Sequence, residues 1–132
     1  MKIVIDSNIF VSSFFWGGHP KEVFERVING LDELFITDKI IEEITCVMSS
    51  SKFAVNSSEI EDYVRIIEKY SKKIVSKNIS VLISRDQDDD KILQCAIDGG
   101  VDFIVTGDKD LLVLNEYESI KIIKPRDYLE IV

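Results

Sequence analysis

The sequence predicts an α/β fold with a mainly parallel sheet, in which short buried strands alternate with amphipathic helices. Ile3, Val4 and Ile5 form an uninterrupted β-branched run, typical of a strand buried on both faces. The run ends at Asp6, and apolar residues at helical spacing follow. Residues 103–106 repeat this order, ending in a glycine and Asp108. Because ligands bind beyond the carboxyl ends of strands in open α/β sheets, we expect both aspartates at a binding edge.

Length and composition describe an ordinary globular protein. The 132 residues suit one domain, and we expect a single domain over residues 1–132. No apolar run reaches the length of a membrane span, and the sequence starts directly with a strand. We therefore expect a cytoplasmic protein without membrane association.

The cysteines, the single histidine and the net charge exclude several classes of function. Cys46 and Cys95 fall within predicted amphipathic helices, and we expect buried, reduced thiols. With His19 as the only histidine and no CxxC motif, a zinc site and a Ser-His-Asp hydrolase are disfavoured. The net charge of −8 argues against simple tracking of a nucleic-acid backbone. It is compatible with a nucleic-acid enzyme whose acids hold divalent cations.

The first half of the chain is predicted to contain two strands and four helices. Pro20 suits a first helical position, Asp38 an N-cap, and the segment from Ser58 to Glu61 a capping box. The predicted order is a strand at 3–5, a helix at 7–16, a helix from Pro20 to Gly30, a strand at 34–37, a helix from Asp38 to about Met48, and a helix from Ser58 to about Lys72. Phe53, Ala54 and Val55 are predicted to dip into the core between the last two helices.

The second half repeats the alternation of strands and helices. Gly107 is expected to permit a tight turn, and Pro125 to stop the last strand. The predicted order is a strand at 74–75, a helix from the acidic segment 85–90 to Gly99–Gly100, a strand at 103–106, an apolar segment at 111–114, a strand at 120–123 and a terminal element at 127–132. The basic run at 69–77 is typical of a solvated face and less often of a surface that contacts a polyanion.

Two neighbouring glutamates are separated by helical phase. Glu43 follows Ile40 by three residues and precedes Val47 by four, which places it at the edge of an apolar arc. Glu42 points nearly the opposite way. Glu43 is therefore either a boundary residue that reaches water or a carboxylate of an internal site.

The densest charge on the chain precedes the helix that ends at Gly99. Asp86, Asp88, Asp89 and Asp90 crowd together there, more acids than capping of a helix N-terminus needs. Like charges this close repel unless a cation neutralises them. Asp89 precedes Leu93 by four residues and Ala96 by seven, so it lies on the inward stripe, whereas Asp90 lies at its edge.

Four segments thus contribute an inward acid: Asp6, Glu43, Asp89 (with Asp90) and Asp108. For Asp6, simple capping of the following helix is the alternative. Clustered oxygen ligands without histidine or cysteine suit a hard cation, Mg²⁺ or Mn²⁺. Such an ion polarises a phosphoryl oxygen and lowers the pKa of bound water.

The chain resembles the PIN domain family in four ordered motifs that span nearly its whole length. These are Val-Ile-Asp-Ser-Asn-Ile at 4–9, Ile-Glu-Glu-Ile at 41–44, Asp-Asp-Asp-Lys-Ile-Leu-Gln-Cys-Ala at 88–96, and Ile-Val-Thr-Gly-Asp-Lys-Asp-Leu at 104–111. More closely, it is similar to the VapC-like toxins of toxin–antitoxin systems. The resemblance implies a three-layer α/β/α Rossmann-like fold with a central parallel sheet.

The resemblance also implies a metal-dependent ribonuclease. The family's four acids fall on Asp6, Glu43, Asp89 and Asp108, with Asp90 as the alternative third acid. Supporting positions fall on Ser7, Asn8, Asp90, Thr106 and Asp110. The implied partners are RNA, a cognate antitoxin and a second copy in a homodimer, and the implied cofactor is Mg²⁺ or Mn²⁺. The acidic balance and shortage of arginine leave the RNA-binding surface unidentified.

Other classes of protein fit less well. A haloacid-dehalogenase-like phosphohydrolase with Asp6 as nucleophile would need a second aspartate where Asn8 stands. A receiver domain would need an acidic pair near its start, and a dinucleotide-binding domain a Gly-x-Gly-x-x-Gly motif. A catalytically inactive PIN scaffold that binds protein or RNA is the non-enzymatic alternative.

Overall fold

The computed structural model describes residues 1–50, 52–75 and 90–132 in full, together with the helical backbone of residues 87–89. These residues form six strands and seven helices. In chain order they are β1 Lys2–Ile5, α1 Ser7–Phe15, α2 Gly18–Ile28, β2 Glu33–Ile36, α3 Asp38–Met48, α4 Ser57–Lys69, β3 Ser71–Lys73, α5 Gln87–Gly99, β4 Phe103–Val105, α6 Lys109–Leu112, β5 Glu116–Tyr117, β6 Ile120–Ile123 and α7 Pro125–Ile131. None of the helices in the described part is long and apolar enough to cross a membrane.

The six strands form one sheet in the order β3-β2-β1-β4-β6-β5. All pairs are parallel except β5–β6, which is an antiparallel hairpin. Ile3, Val4 and Ile5 of the central strand are at most 1% exposed although successive side chains point to opposite faces, because helices cover both faces. The predicted α/β/α fold with a central parallel sheet is confirmed.

The topology places a switch point beside β1. From β1 the chain proceeds to β2 and β3 on one side, and β4 and β6 lie on the other. Ile5 of β1 is level with Val105 of β4, so both strands end at the same edge. This is the crevice in which α/β proteins bind ligands.

Two predicted helix caps were wrong, each because a residue just upstream caps the helix instead. Thr37, not Asp38, caps α3, and its hydroxyl accepts a hydrogen bond from the Ile40 N–H at 3.4 Å. Asn56, not Ser58, caps α4, and its side-chain amide oxygen accepts a hydrogen bond from the Glu59 N–H at 2.9 Å. The Asn56 side-chain amide also donates to the Glu59 carboxylate at 2.7 Å, whereas in a capping box the N-cap backbone N–H makes this bond. Pro20 likewise does not open α2, which begins two residues earlier at Gly18.

The strands at the two edges of the sheet were misplaced or missed. The predicted end of α4 near Lys72 and the predicted strand at 74–75 were wrong, since α4 ends at Lys69 and β3 occupies Ser71–Lys73. The two-residue strand β5 is too short to give an alternating pattern and was not predicted. Between α3 and α4, Phe53 and Val55 pack partly buried on the core as expected, but Ala54 is exposed.

Carboxylates neutralise much of the basic run at 69–77. The Lys73 ammonium lies 3.0 Å from both Asp38 and Glu68, and Lys72 lies 3.4 Å from Glu33. Lys77 lies outside the described residues. The two paired lysines favour a solvated, ion-paired face over a polyanion site.

The two cysteines differ in exposure. Cys95 on α5 is buried as predicted, and burial raises the pKa of its thiol to about 12. Cys46 on α3 is exposed, so the prediction of a buried thiol was wrong for this residue. It lies between two partly buried neighbours, Thr45 and Val47, on the solvent side of the helix. Both thiols are free.

A buried carboxylate anchors the loop at the amino end of β2, opposite the strand ends that lead into Asp6 and Asp108. The Asp32 side chain is fully buried just before β2. It pairs with Arg26 Nε of α2 at 2.8 Å and with the N-terminal amine of Met1 at 3.4 Å. Two cations around one buried anion offset the cost of removing the carboxylate from water.

We expect Asp32→Ala to lower the free energy of unfolding by about 3 kcal/mol, because it leaves Arg26 and the terminal amine without their buried partner. Asp62→Ala is the matched control, since it breaks an exposed ion pair of 3.0 Å with Arg65 and should cost less than about 1 kcal/mol. Urea unfolding of both variants measures the difference. Equal losses would show that the Asp32 cluster does not anchor the fold.

Candidate functional site

Asp6 lies at the carboxyl end of β1 and is only 6% exposed. Its backbone N–H donates to the Val105 carbonyl at 3.0 Å, which extends the β1–β4 ladder by one residue. Although Asp6 occupies the N-cap position of α1, its carboxylate makes no capping hydrogen bond. Simple capping therefore does not account for the position of this side chain.

A chain of hydrogen bonds joins Asp6 to Asp108. The fully buried Thr106 hydroxyl donates to the Asp6 carboxylate at 2.6 Å. The same oxygen accepts from the Asp108 backbone N–H at 3.0 Å. The Asp108 carboxylate then caps α6 by accepting from the Asp110 N–H at 2.8 Å. Thr106 thus fixes the side chain of one predicted acid and the backbone of another. With Asp108 as its N-cap, α6 begins at Lys109, earlier than the predicted segment at 111–114.

Glu43 reaches the same edge from α3. Its carboxylate accepts a hydrogen bond from the buried Ser7 hydroxyl at 2.9 Å, and its side chain is 19% exposed. Glu42 is exposed, in agreement with the helical phase. The Lys91 ammonium of α5 lies 3.6 Å from the Glu43 oxygen that Ser7 contacts. Glu43 therefore shares one oxygen between a hydroxyl and a cation.

The electrostatics of the site centre on Asp6. Burial raises the pKa of the Asp6 carboxyl above its usual value, and the negative charges of Glu43 and Asp108 raise it further. The Thr106 hydrogen bond opposes this rise, and the nearby Asn8 N–H opposes it weakly without forming a capping bond. Three acids are thus close enough to influence one another, and the negative charge on Asp6 is disfavoured.

The remaining predicted residues are distributed around this edge. Asn8 is exposed on the first turn of α1, and Asp90 is half-buried at the start of α5. Asp110 is half-buried on α6 next to Asp108. The side chain of Asp89, the preferred third acid, lies outside the described residues. Gly107 has no left-handed backbone conformation, so the turn before Asp108 does not require glycine for the reason predicted.

The donors present suit a hard divalent cation in chemical type. Asp6, Glu43 and Asp108 offer only carboxylate oxygens, and their mutual repulsion is the kind of strain that a bound cation relieves. Within residues 1–50, 52–75 and 90–132, no three acidic, histidine or cysteine side chains converge closely enough to form a metal site by themselves. A complete ligand set would therefore need a further donor, and Asp89 is the predicted one.

Sequence reasoning missed Lys91. The only signal was a lysine directly after the run of aspartates, which reads as an ordinary charged helix residue. Its ammonium meets Glu43 only because α5 and α3 pack against each other. Lys91 brings a positive charge into an otherwise acidic site.

The fold and the acids at the switch point define a class of α/β proteins with a carboxylate site beyond β1 and β4. Residues 2–110 match the family profile of the PIN domain. The chain belongs to the PIN domain family.

Two further comparisons gave a likeness in sequence and a likeness in fold. The chain is 27% identical over 141 residues to the uncharacterized protein MJ1680 of Methanocaldococcus jannaschii, covering 98% of this chain and 90% of the relative. Its fold is similar to a chain in the crystal structure of VapBC2 from Rickettsia felis bound to a DNA fragment from their promoter. That match has a TM-score of 0.64 at 13% identity and covers 92% of this chain and 97% of the other, so it is a likeness of fold.

We expect Asp6→Asn to raise the melting temperature by about 3 °C in EDTA at pH 7, because it removes a buried charge that Glu43 and Asp108 repel. Asparagine keeps an oxygen that can accept from Thr106. Because the folded-state pKa of Asp6 is raised, its charge destabilises the fold at higher pH. The advantage of asparagine should therefore shrink as the pH falls toward the usual aspartate value, where the wild-type side chain is neutral.

Differential scanning calorimetry at both pH values measures this effect. Glu42→Gln is the control, since it neutralises an exposed carboxylate and should shift the melting temperature by less than about 1 °C. A melting temperature of Asp6→Asn below wild type would contradict the electrostatic account.

Proposed function

We propose that this protein is an endoribonuclease that hydrolyses RNA phosphodiester bonds with Mg²⁺ or Mn²⁺, acting as one domain over residues 1–132. PIN domains are generally nucleases, and membership of the family supports this class of activity. The observation that carries the proposal is the buried Asp6 carboxylate, held by Thr106 and electrostatically coupled to Glu43 and Asp108. A buried acid beside other acids is costly to fold and is typical of a functional site.

In the proposed reaction, Asp6, Asp108 and Asp89 would hold metal, and Glu43 would ligate a second ion or orient the attacking water. A divalent ion bound there supplies an activated water and polarises the scissile phosphate. Thr106 keeps the Asp6 carboxylate in one orientation and Ser7 does the same for Glu43. Asn8, Asp90 and Asp110 surround these groups and are proposed supporting residues.

We further propose that the protein is a toxin of a toxin–antitoxin pair and forms a homodimer. The family assignment and the fold likeness to a chain of the VapBC2 complex support an antitoxin partner. Affinity purification of the tagged protein from its native host tests the antitoxin partner, and size-exclusion chromatography with light scattering tests the homodimer. A monomer that copurifies with nothing would contradict them.

A catalytically inactive scaffold is the second candidate, and Lys91 is the observation that favours it. An ammonium 3.6 Å from Glu43 already neutralises part of the acid site, as a bound metal would. In a scaffold this internal cation would make divalent metal unnecessary. The two candidates therefore differ in whether metal stabilises the protein.

We expect millimolar Mn²⁺ to raise the melting temperature, because a ligand that binds only the folded state stabilises that state by mass action. The increase should shrink in Asp108→Asn, which removes a proposed metal ligand. Glu116→Gln, an exposed carboxylate on β5, should retain the full increase. The absence of any increase in wild type would favour the scaffold.

We expect Glu43→Gln to lower RNA cleavage in Mn²⁺ by about 100-fold or more, the usual scale for losing one positioned catalytic group. Glu42→Gln should change it by less than about threefold, since Glu42 is exposed on the same helix. A gel assay on mixed RNA measures both rates, with EDTA and Asp6→Asn as inactive controls and single-stranded DNA as a competing substrate. Equal loss in the two glutamine variants would show that Glu43 has no special role.

A further inference from the structure

An aromatic cluster with one exposed and two partly buried rings lies at the carboxyl end of α1. Trp16, the only tryptophan of the chain, is 71% exposed. Its ring lies 5.5 Å from that of Phe15 and 6.3 Å from that of Phe53 between ring centres. Phe15 and Phe53 stack at 4.6 Å with an angle of 19° between their planes. A highly exposed tryptophan that continues into partly exposed aromatic rings is a candidate binding surface.

Two lysines flank the cluster. The Lys52 ammonium lies 5.6 Å from the centre of the Phe53 ring. Lys21 follows on α2. Its side chain passes close to Gly17, the residue after Trp16, since a Cβ built on Gly17 would lie 3.6 Å from Lys21 Cδ. Within the part of the chain that the structure describes, neither lysine forms a salt bridge, unlike Lys72 and Lys73. On a chain of net charge −8, this is an aromatic surface with uncompensated positive charge.

Two packed helices connect the cluster to the acid site. Helix α1 begins directly after Asp6 and reaches Phe15 after nine residues, a length of about 14 Å. Helix α3 packs on α1, carries Glu43, and leads to Phe53 beyond its carboxyl end. The Ser7–Glu43 hydrogen bond joins the two helices near the site, and the Phe15–Phe53 stack joins the segments near the cluster.

We propose that Phe15, Trp16 and Phe53, with Lys21 and Lys52, form a stacking platform for the bases of single-stranded RNA. The assignment rests on the proposed function and deepens it, because it supplies the RNA-binding surface that the acidic composition conceals. Stacking on aromatic rings beside cations binds single strands without reading their sequence. Lysine is depleted in protein–protein interfaces, so two lysines that form no salt bridge with a described residue, beside an exposed tryptophan, favour a polyanion over a protein partner.

The single tryptophan makes the platform directly measurable, since fluorescence reports on Trp16 alone. Asp6→Asn protein in EDTA is titrated with a mixed-sequence 12-nucleotide RNA, so that cleavage does not interfere. We expect saturable quenching of the tryptophan emission. Phe53→Ala should weaken RNA binding by about 5- to 150-fold, the measured range for loss of one base stack. Phe53→Leu keeps apolar bulk without a π face and should weaken it comparably, which separates stacking from misfolding.

Charge variants test the phosphate contacts. Lys52→Gln should weaken binding and reduce the slope of log affinity against log salt by about 0.7, the value for one phosphate contact on a single strand. Lys121→Gln on β6 removes the same charge from a remote exposed position and should change neither quantity. Leu31 is an exposed apolar residue just before β2, outside the cluster, and Leu31→Ala should bind RNA as wild type does.

The possible failures are distinguishable. No quenching by RNA, or quenching that Lys52→Gln and Phe53→Ala leave unchanged, would overturn the platform. Self-association detected by sedimentation and abolished by Trp16→Ala, without RNA quenching, would instead assign the surface to a second copy of the chain. RNA cleavage without quenching would overturn the platform and leave the proposed nuclease intact. Quenching without cleavage would retain the platform and refute the nuclease.

Discussion

The hydrogen bond from the Thr106 hydroxyl to the buried Asp6 carboxylate is the interaction on which the candidate site depends. It exists because β1 and β4 are adjacent, parallel and in register, so that the residues following Ile5 and Val105 meet at the same edge. The carboxylate is largely removed from water, and the buried hydroxyl replaces part of its lost hydration. The same hydroxyl oxygen orients the backbone at Asp108, which couples the geometry of the two acids.

Asp6 and Asp32 are both buried aspartates, but the charges that surround them have opposite signs. Asp32 lies before β2 among two cations, so its charge is compensated within the protein and its contribution is structural. Asp6 lies at the carboxyl end of β1, where burial raises the pKa of its carboxyl and the negative charges of Glu43 and Asp108 raise it further. The two carboxylates occupy opposite edges of one sheet, and the contrast shows that burial alone does not distinguish a site residue from an anchor.

The lysines of the protein likewise differ in the groups that surround their ammonium charges. Lys72 and Lys73 are paired with carboxylates and stabilise a solvated edge of the sheet. The Lys91 ammonium lies 3.6 Å from Glu43 and brings a positive charge into the acid site. Lys52 lies instead over an aromatic ring, where no carboxylate partner is described for it. The arrangement of charge, rather than its total of −8, therefore carries the functional information.

The sequence by itself determined the order of the main elements and the helical phase that turns Glu43 inward, because hydrophobic periodicity and β-branched runs are local signals. Only the structure decided which of several neighbouring residues caps a helix, where the shortest strands lie, and which side chains meet across long sequence separations. Thr37 and Asn56 displaced the predicted caps because a neighbouring side chain reached the free N–H groups better. The strands β3 and β5 are too short for a periodic pattern and exist only because neighbouring strands pair with them. The roles of Thr106 and Lys91 were likewise decided by packing, since each meets its carboxylate across a sequence separation that no local pattern spans.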